Sequence, residues 1–537
     1  MDSHFQVIIL GTGLAESIAA AALAKVGLKV AHIDTNPYYG ADEASLTTKD
    51  LQECLNRATE KLDQISRLRI ASVRGEFPSA SRDYSLSLSP SVIPARGPLI
   101  SSLIGSGVAR YGGFKLLESV SVYSSDGLKS VPGSKEEIFK SKDLSLIDKR
   151  KLMRFLMFAS GEFESSSELQ GKENMEFESF LKEVFSLDAQ LASVLACALA
   201  LCKNQCDTAL PALGRIRRYL RSAGRYGASP FLVGQYGGLG ELAQGFCRVC
   251  AVSGGTYILG RDMLAFESKP EPSSGSEEMM NLRLKLSEIP EDLTADVVIS
   301  SVNYLPHLSN FPQPETEVHL STTENHSCCI ALIDGVISRL SSYESAQATA
   351  NDSTREPVEG SSEEIPSRPV DAALLVFPAG SLSSGKAPGP VNVLINGEGT
   401  SSCPRGKSLL YLSTTTRNAD ANKAINPEQL LRPYLETTLS LLQSPSGEPL
   451  KELSSAFYIK STPTLSDTRL ASLKEKSIFV SPPLPEHIAE AGDAAASIGE
   501  TLFRDVLKQL GNPDADDVEL WPPLPPGLDD DDDDDMI

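Results

Sequence analysis

Val7-Ile-Ile-Leu-Gly-Thr-Gly-Leu-Ala-Glu-Ser17 carries an apolar run straight into a glycine turn and out into an alanine-rich stretch. The apolar run begins at Phe5 and ends at Leu10, and Ala15 to Val26 has the spacing of a helix. A second run, Lys29 to Ile33, ends on Asp34. Strand, glycine turn, helix and strand in this order predict a βαβ unit with its two strands paired in parallel.

A dinucleotide site built on such a unit needs three glycines: for the turn, for backbone approach to the pyrophosphate and for helix packing. It also needs an acid at the end of the second strand to hold the ribose. Gly11, Gly13 and Asp34 fill three of these four places, but Glu16 stands where the third glycine belongs. Its bulk and its charge both oppose a pyrophosphate, although a carboxylate there suits the helix dipole and can satisfy backbone donors at the helix start. The expectation is a flavoenzyme-like FAD/NAD-binding Rossmann-type domain that carries no cofactor.

Working outward, about residues 144–228 change texture, with few glycines and apolar residues at Leu187, Leu191, Val194, Leu195, Ala198, Leu199 and Cys202. That spacing is helical and too apolar for a surface helix, so an α-helical domain is expected there, inserted into the α/β one. Strand-like character resumes afterwards, notably at Ala295-Asp-Val-Val-Ile-Ser300. The α/β domain is thus discontinuous, with a first part over 1–143 and a second over 229–510. Stretches near 268–280 and 341–368, rich in Ser, Glu, Pro and Gly, are expected to be mobile insertions. Residues 511–537, with Pro522-Pro-Leu-Pro-Pro526 and the run Asp529 to Asp535, are expected to be a disordered tail.

Composition limits the function. A net charge of −22 argues against nucleic acid and against unaided adsorption to an anionic membrane. The longest apolar run, Leu191 to Cys202, is too short to span a bilayer, and the expected location is cytoplasmic, with the nine cysteines reduced. Cys247-x-x-Cys250 lacks two further ligands for a metal, the six histidines have no triad or metal spacing, and no nucleophile elbow or phosphate loop is present. A binding protein is expected, not an enzyme.

Two blocks narrow the class of partner. Val7 to Ser17 followed by His32-Ile-Asp-Thr-Asn-Pro-Tyr-Tyr-Gly40 resembles the first signature of the Rab GDP dissociation inhibitor and Rab escort protein superfamily; flavoenzymes lack the Asn-Pro-Tyr-Tyr-Gly continuation. Gly224 to Leu232, Tyr236 to Phe246 and Gly254-Gly-Thr-Tyr257 resemble its second. Val131 to Phe139 with Asp148 to Phe155 is similar to the escort branch, as are the insertions and tail. The resemblance implies a carrier that binds GDP-bound Rab GTPases, presents them to Rab geranylgeranyl transferase, shelters their geranylgeranyl groups and touches membranes transiently at delivery. Rivals are a Rab GDP dissociation inhibitor, which recycles prenylated Rabs, and an FAD-dependent oxidoreductase.

Carried onto this chain, the resemblance implies a Rab-binding platform of Tyr39, Glu241 and Arg248, with Ile258 where the inhibitors have Met. Tyr39 could instead pack on its own domain, and Glu241 with Arg248 could form an internal ion pair on one helix face. Arg217, Arg221 and Arg225, spaced by four, form a basic stripe that is either a transferase-docking face or a solvated one. Leu191, Val194, Leu195 and Leu199 are prenyl-pocket candidates, or ordinary core.

Overall fold

The computed structural model describes residues 3–60, 68–79, 81–124, 127–130, 145–270, 280–308, 321–340, 369–417, 426–464 and 467–523. The insertion at 341–368, most of that at 268–280, the stretch Val131 to Phe139 and the aspartate run lie outside the described residues.

The βαβ unit is present as strand His4–Leu10, helix Leu14–Lys25 and strand Val30–Asp34, with Val7 opposite Val30 in parallel register. Strand Thr256–Leu259 joins parallel to Val30–Asp34, Leu293–Ser301 joins parallel to His4–Leu10, and Ile478–Ser481 extends the sheet beyond it. An antiparallel hairpin, Met263–Pro270 with Met280–Leu286, completes it. Strand periodicity sorts the residues. Val7 and Ile9 pack against helices Leu14–Lys25, Leu239–Val252 and Ala491–Gln509, while Ile8 and Leu10 pack with Phe266 and Leu284 of the hairpin.

The helical domain holds helices Leu146–Ser160, Phe177–Phe185, Ala189–Val194 and Ala209–Ser222, all within the span read from the sequence. Phenylalanines fill it: the Phe185 ring lies 5.2 Å from Phe155 and 5.8 Å from Phe180. Leu195–Leu199 forms a π-helical turn, the geometry in which one extra residue bulges from a helix.

The sequence reading needs two revisions. Residues 229–510 do not return to one sheet. Much of them builds a second, eight-stranded sheet in the order Leu68–Arg74, Lys451–Thr464, Ser321–Asp334, Lys407–Arg417, Val391–Asn396, Ala372–Phe377, Ser119–Ser124 and Gly127–Ser130. One face, with Ile330, Leu374 and Tyr411, carries the helical domain; the other, with Ala331, Leu375 and Phe457, is covered by helix Pro427–Leu441. Part of the expected tail, through residue 523, also packs on the domain. Arg504 donates to the carbonyls of Ala515, at 2.8 Å, and of Val518, which pins the segment after the last helix. Trp521 then stacks on Phe246 at 5.7 Å. A Cβ on Gly105 would come within 2.9 Å of the Trp521 ring, so a bare backbone is what allows the indole this close. Apolar burial by Val518, Leu520 and Trp521 outweighs the polarity of the surrounding residues.

Among the described residues no helix is long and apolar enough to cross a membrane. Since Trp521 is only partly buried, Trp521→Ala is expected to cost about 2 kcal/mol, below the range for a fully buried aromatic. Urea unfolding followed by far-ultraviolet circular dichroism checks this, and an unchanged midpoint would show that the segment is not docked.

Candidate functional site

Gly11, at φ +101°, sends its N–H to the Ile33 carbonyl at 2.8 Å, while its own carbonyl faces His32 Nε2 at 2.7 Å. Beside it Asp34 is wholly buried. Its Oδ2 accepts from Thr12 N at 2.8 Å and Thr12 Oγ1 at 2.7 Å. Its Oδ1 accepts from Asn36 N at 2.8 Å and from the Tyr304 hydroxyl at 2.9 Å. A carboxylate offers about four lone-pair directions, and all are taken by protein donors. None remains for a ribose hydroxyl.

The turn itself is crowded. A Cβ on Gly13 would lie 2.6 Å from Glu16 Oε2 and 3.2 Å from Glu43 Oε2, so two carboxyls sit over the backbone that a pyrophosphate would approach. Glu43 Oε2 accepts the Leu14 N–H at 3.1 Å, one of the open donors at the helix start; Glu16 meets its own N–H. Sequence reasoning missed Glu43, because nothing in the order of residues shows that the turn Ala41–Glu43 folds back over Gly13. Burial, reinforced by Asp42, pushes Glu43 up to about 8, and burial pushes Glu16 up to about 7. The expected charge repulsion of a pyrophosphate is therefore corrected: near neutral pH these groups are largely or partly protonated, and exclusion is chiefly steric. FAD or NAD does not fit these residues.

The residues expected to form a platform lie on the loop after Asp34, on helix Leu239–Val252 and on strand Thr256–Leu259. The loop after Asp34 is anchored by Gly40 N, which donates to Thr12 O and Thr12 Oγ1, both at 3.1 Å. That fixes Tyr39, whose ring meets Tyr257 edge-on at 5.6 Å. Tyr257 bonds His32 Nδ1 at 3.1 Å and reaches Cys247 and Cys250 on helix Leu239–Val252, joining the strand that carries Ile258 to the helix that carries Glu241 and Arg248. Burial pushes the Cys247 thiol up to about 12 and Cys250 to about 11, so both are neutral, and among the described residues no group of three or more metal-ligating side chains occurs. Glu241 and Arg248 form no ion pair. Arg248 is exposed and stacks its guanidinium 4.4 Å from the ring centre of Tyr111, itself 58% exposed. Glu241 has no ion-pair partner among the described residues, and partial burial raises its pKa. Ile258 is half-buried on its strand, opposite Ile33. Tyr111 carried no signal in the sequence, since its partner lies far along the chain.

In the helical domain the arginine stripe is shorter than its spacing implied, and it is neutralised. The helix ends at Ser222 and Gly224 turns the chain at φ +84°, so Arg225 leaves the face and lies over Tyr226 at 5.2 Å. Arg217 pairs with Glu164 at 2.6 Å, and Arg221 with Glu162 at 3.0 Å. Leu191, Leu195 and Leu199 are buried in the cluster shared with the second sheet, and Val194 packs at its edge.

Because Glu16 and Glu43 bind protons more tightly folded than unfolded, they stabilise the fold at low pH and lose that contribution as pH rises towards about 8. His32, depressed to about 4 by burial, acts oppositely, costing stability as pH falls below its unfolded value. Between about pH 6.5 and 8.5 the carboxyls dominate. The double variant Glu16→Gln, Glu43→Gln is expected to lose less melting temperature over that window than the parent, by at least ~1 °C in a thermal unfolding scan.

Residues 1–275 match the family described as GDI: GDP dissociation inhibitor. The chain is 33% identical over 424 residues to the Saccharomyces cerevisiae protein named Rab proteins geranylgeranyltransferase component A, an alignment spanning 78% of this chain and 63% of that protein. It spans a little under two thirds of the length of such curated relatives. The Rab GDI structure from Plasmodium falciparum superposes with a TM-score of 0.59 at 21% identity, covering 95% of this chain and 98% of that one. An oxidoreductase from Methanosarcina mazei follows at 0.53 and 14%, covering 92% and 99%, so the fold is flavoenzyme-like. With over half its length matched to that family and both signature blocks inside the matched part, the chain belongs to the GDP dissociation inhibitor family.

Proposed function

We propose that this chain acts as a Rab escort protein, the accessory component A of Rab geranylgeranyl transferase. It binds Rab GTPases in the GDP form, presents their C-terminal cysteines to the transferase and then carries the prenylated Rab through the cytoplasm to a membrane, which it touches transiently. The chain itself is not catalytic. The observation that carries this reading is the likeness to a component A over 424 residues, more than the 275 that match the GDP dissociation inhibitor family.

The site chemistry supports a docking role. Tyr39 held edge-on by Tyr257, Arg248 spread over Tyr111 and an unpaired Glu241 present rigid aromatic and charged groups of the kind that anchor interfaces. Arg217, Arg221 and Arg225 are the transferase-docking candidates. There the Glu162 and Glu164 pairs would have to exchange partners. Leu191 and Val194 precede the π-helical turn and Leu195 and Leu199 lie in it, where the helices would part to admit a geranylgeranyl chain. Sheltering such chains from water offsets the cost of opening that packing.

The deciding assay combines unmodified Rab, the transferase and geranylgeranyl diphosphate with and without this chain. Prenylation that depends on the chain is expected; prenylation indifferent to it, with extraction of prenylated Rab from membranes intact, would make it an inhibitor instead. Arg248→Ala is expected to weaken binding of GDP-loaded Rab at least about tenfold, measured by isothermal titration calorimetry.

A further inference from the structure

Two surface side chains meet beside helix Leu239–Val252. Arg248 is exposed on that helix, and Tyr111, 58% exposed, comes from a loop far earlier in the chain to set its ring centre 4.4 Å from the guanidinium carbon. Neither side chain serves the core. A residue this exposed adds little by burial, and a cation–π contact between exposed groups is weak.

The backbone is nevertheless arranged to bring the two together. Helix Pro98–Ser106 ends at Gly107, φ +84°, and the single turn Val108–Arg110 follows. Tyr111 N and Gly112 N both donate to the Val108 carbonyl, at 2.9 and 3.2 Å, which fixes where the Tyr111 side chain leaves the turn. Val108 is buried in the cluster that helix Leu239–Val252 shares. A Cβ on Gly245 would come within 2.6 Å of Val108 Cγ1, so the bare backbone there is what lets the turn close on the helix. Gly245 stands three residues before Arg248, on the same helix face. Close approach at one level therefore sets ring beside guanidinium at the next.

Arg248 differs from the arginines of the helical domain in what else it touches. Arg217 and Arg221 engage Glu164 and Glu162, whereas Arg248 makes no ion pair among the described residues. A ring occupies only the face of a guanidinium; the N–H donors lie in its plane and stay available at the edge. An arginine free in solvent loses much rotamer freedom when a partner immobilises it, and that loss weakens binding. One already resting on a fixed ring has less left to lose.

We infer that Tyr111 is a positioning residue for Arg248: it holds the guanidinium ready for docking before a Rab arrives, and acts on binding only through that arginine. The inference rests on the Rab-binding role proposed above and adds to it a residue outside the two signature blocks.

The test is isothermal titration calorimetry of GDP-loaded Rab against the full chain and its variants, each checked for folding by circular dichroism. Tyr111→Ala is expected to raise the dissociation constant at least about fivefold, while Tyr111→Phe, which keeps the ring, stays within about twofold of the parent. With Arg248→Ala already in place, adding Tyr111→Ala should change the constant by less than about twofold, because coupled residues do not contribute twice. A Tyr111→Ala chain that binds like the parent would overturn the inference, as would a Tyr111→Phe chain as weak as Tyr111→Ala. An equal loss in the Arg248→Ala background would overturn it too, since a direct contact or a general structural role weakens binding whether or not the arginine is present. Failure of the parent chain to bind Rab at all is a different result: it removes the Rab-binding reading, and this inference with it.

Discussion

Everything near the glycine turn depends on how one buried carboxylate spends its lone pairs. Asp34 ties Thr12 of the turn, Asn36 of the following loop and Tyr304 at the end of a distant strand to a single point. A buried charge is tolerable only when it is hydrogen-bonded on all sides, and here the protein supplies every donor. In a nucleotide-binding relative of this fold the same position must leave room for a sugar. Making that acid wholly structural fixes the loop that carries Tyr39, so loss of a ligand and gain of a rigid surface have the same physical cause.

The carboxyls over Gly13 extend the point. Two buried acids over one turn resist ionising together below about pH 8, and their shared reluctance turns an anion-attracting helix start into a self-contained cap. The helix dipole that would have met a pyrophosphate meets Glu43 instead, through the Leu14 N–H. What remains outward is Arg248 lying flat on Tyr111, a contact made by a surface and not by a pocket.

Legibility in the sequence followed sequence distance. The βαβ unit announced itself because strand alternation, the glycine turn and the helix lie within a few dozen residues, and the helical domain did so through its apolar spacing. The second sheet was missed because its strands come from 68–130 and 321–464, so no local run shows which partners they choose. For the same reason Tyr39 could be placed from its loop, whereas Glu43 and Tyr111 acquire their meaning only through partners that folding brings in. Arg225 shows the converse error: spacing by four means one face only while the helix lasts, and a glycine at positive φ ended it. Trp521 was misjudged because prolines and aspartates around it outweigh one indole in any average over composition, though not in contact area.

The parallel sheet takes its strands from residues 4–34, 256–301 and 478–481, with the whole helical domain and most of the second sheet threaded between them. Such a topology has high contact order. A ribosome must release nearly all of this chain before the last strand can dock beside Leu293–Ser301, so a premature stop almost anywhere, even late, leaves the nascent protein with an unsealed edge at the centre of its first domain and exposes it to proteolytic clearance.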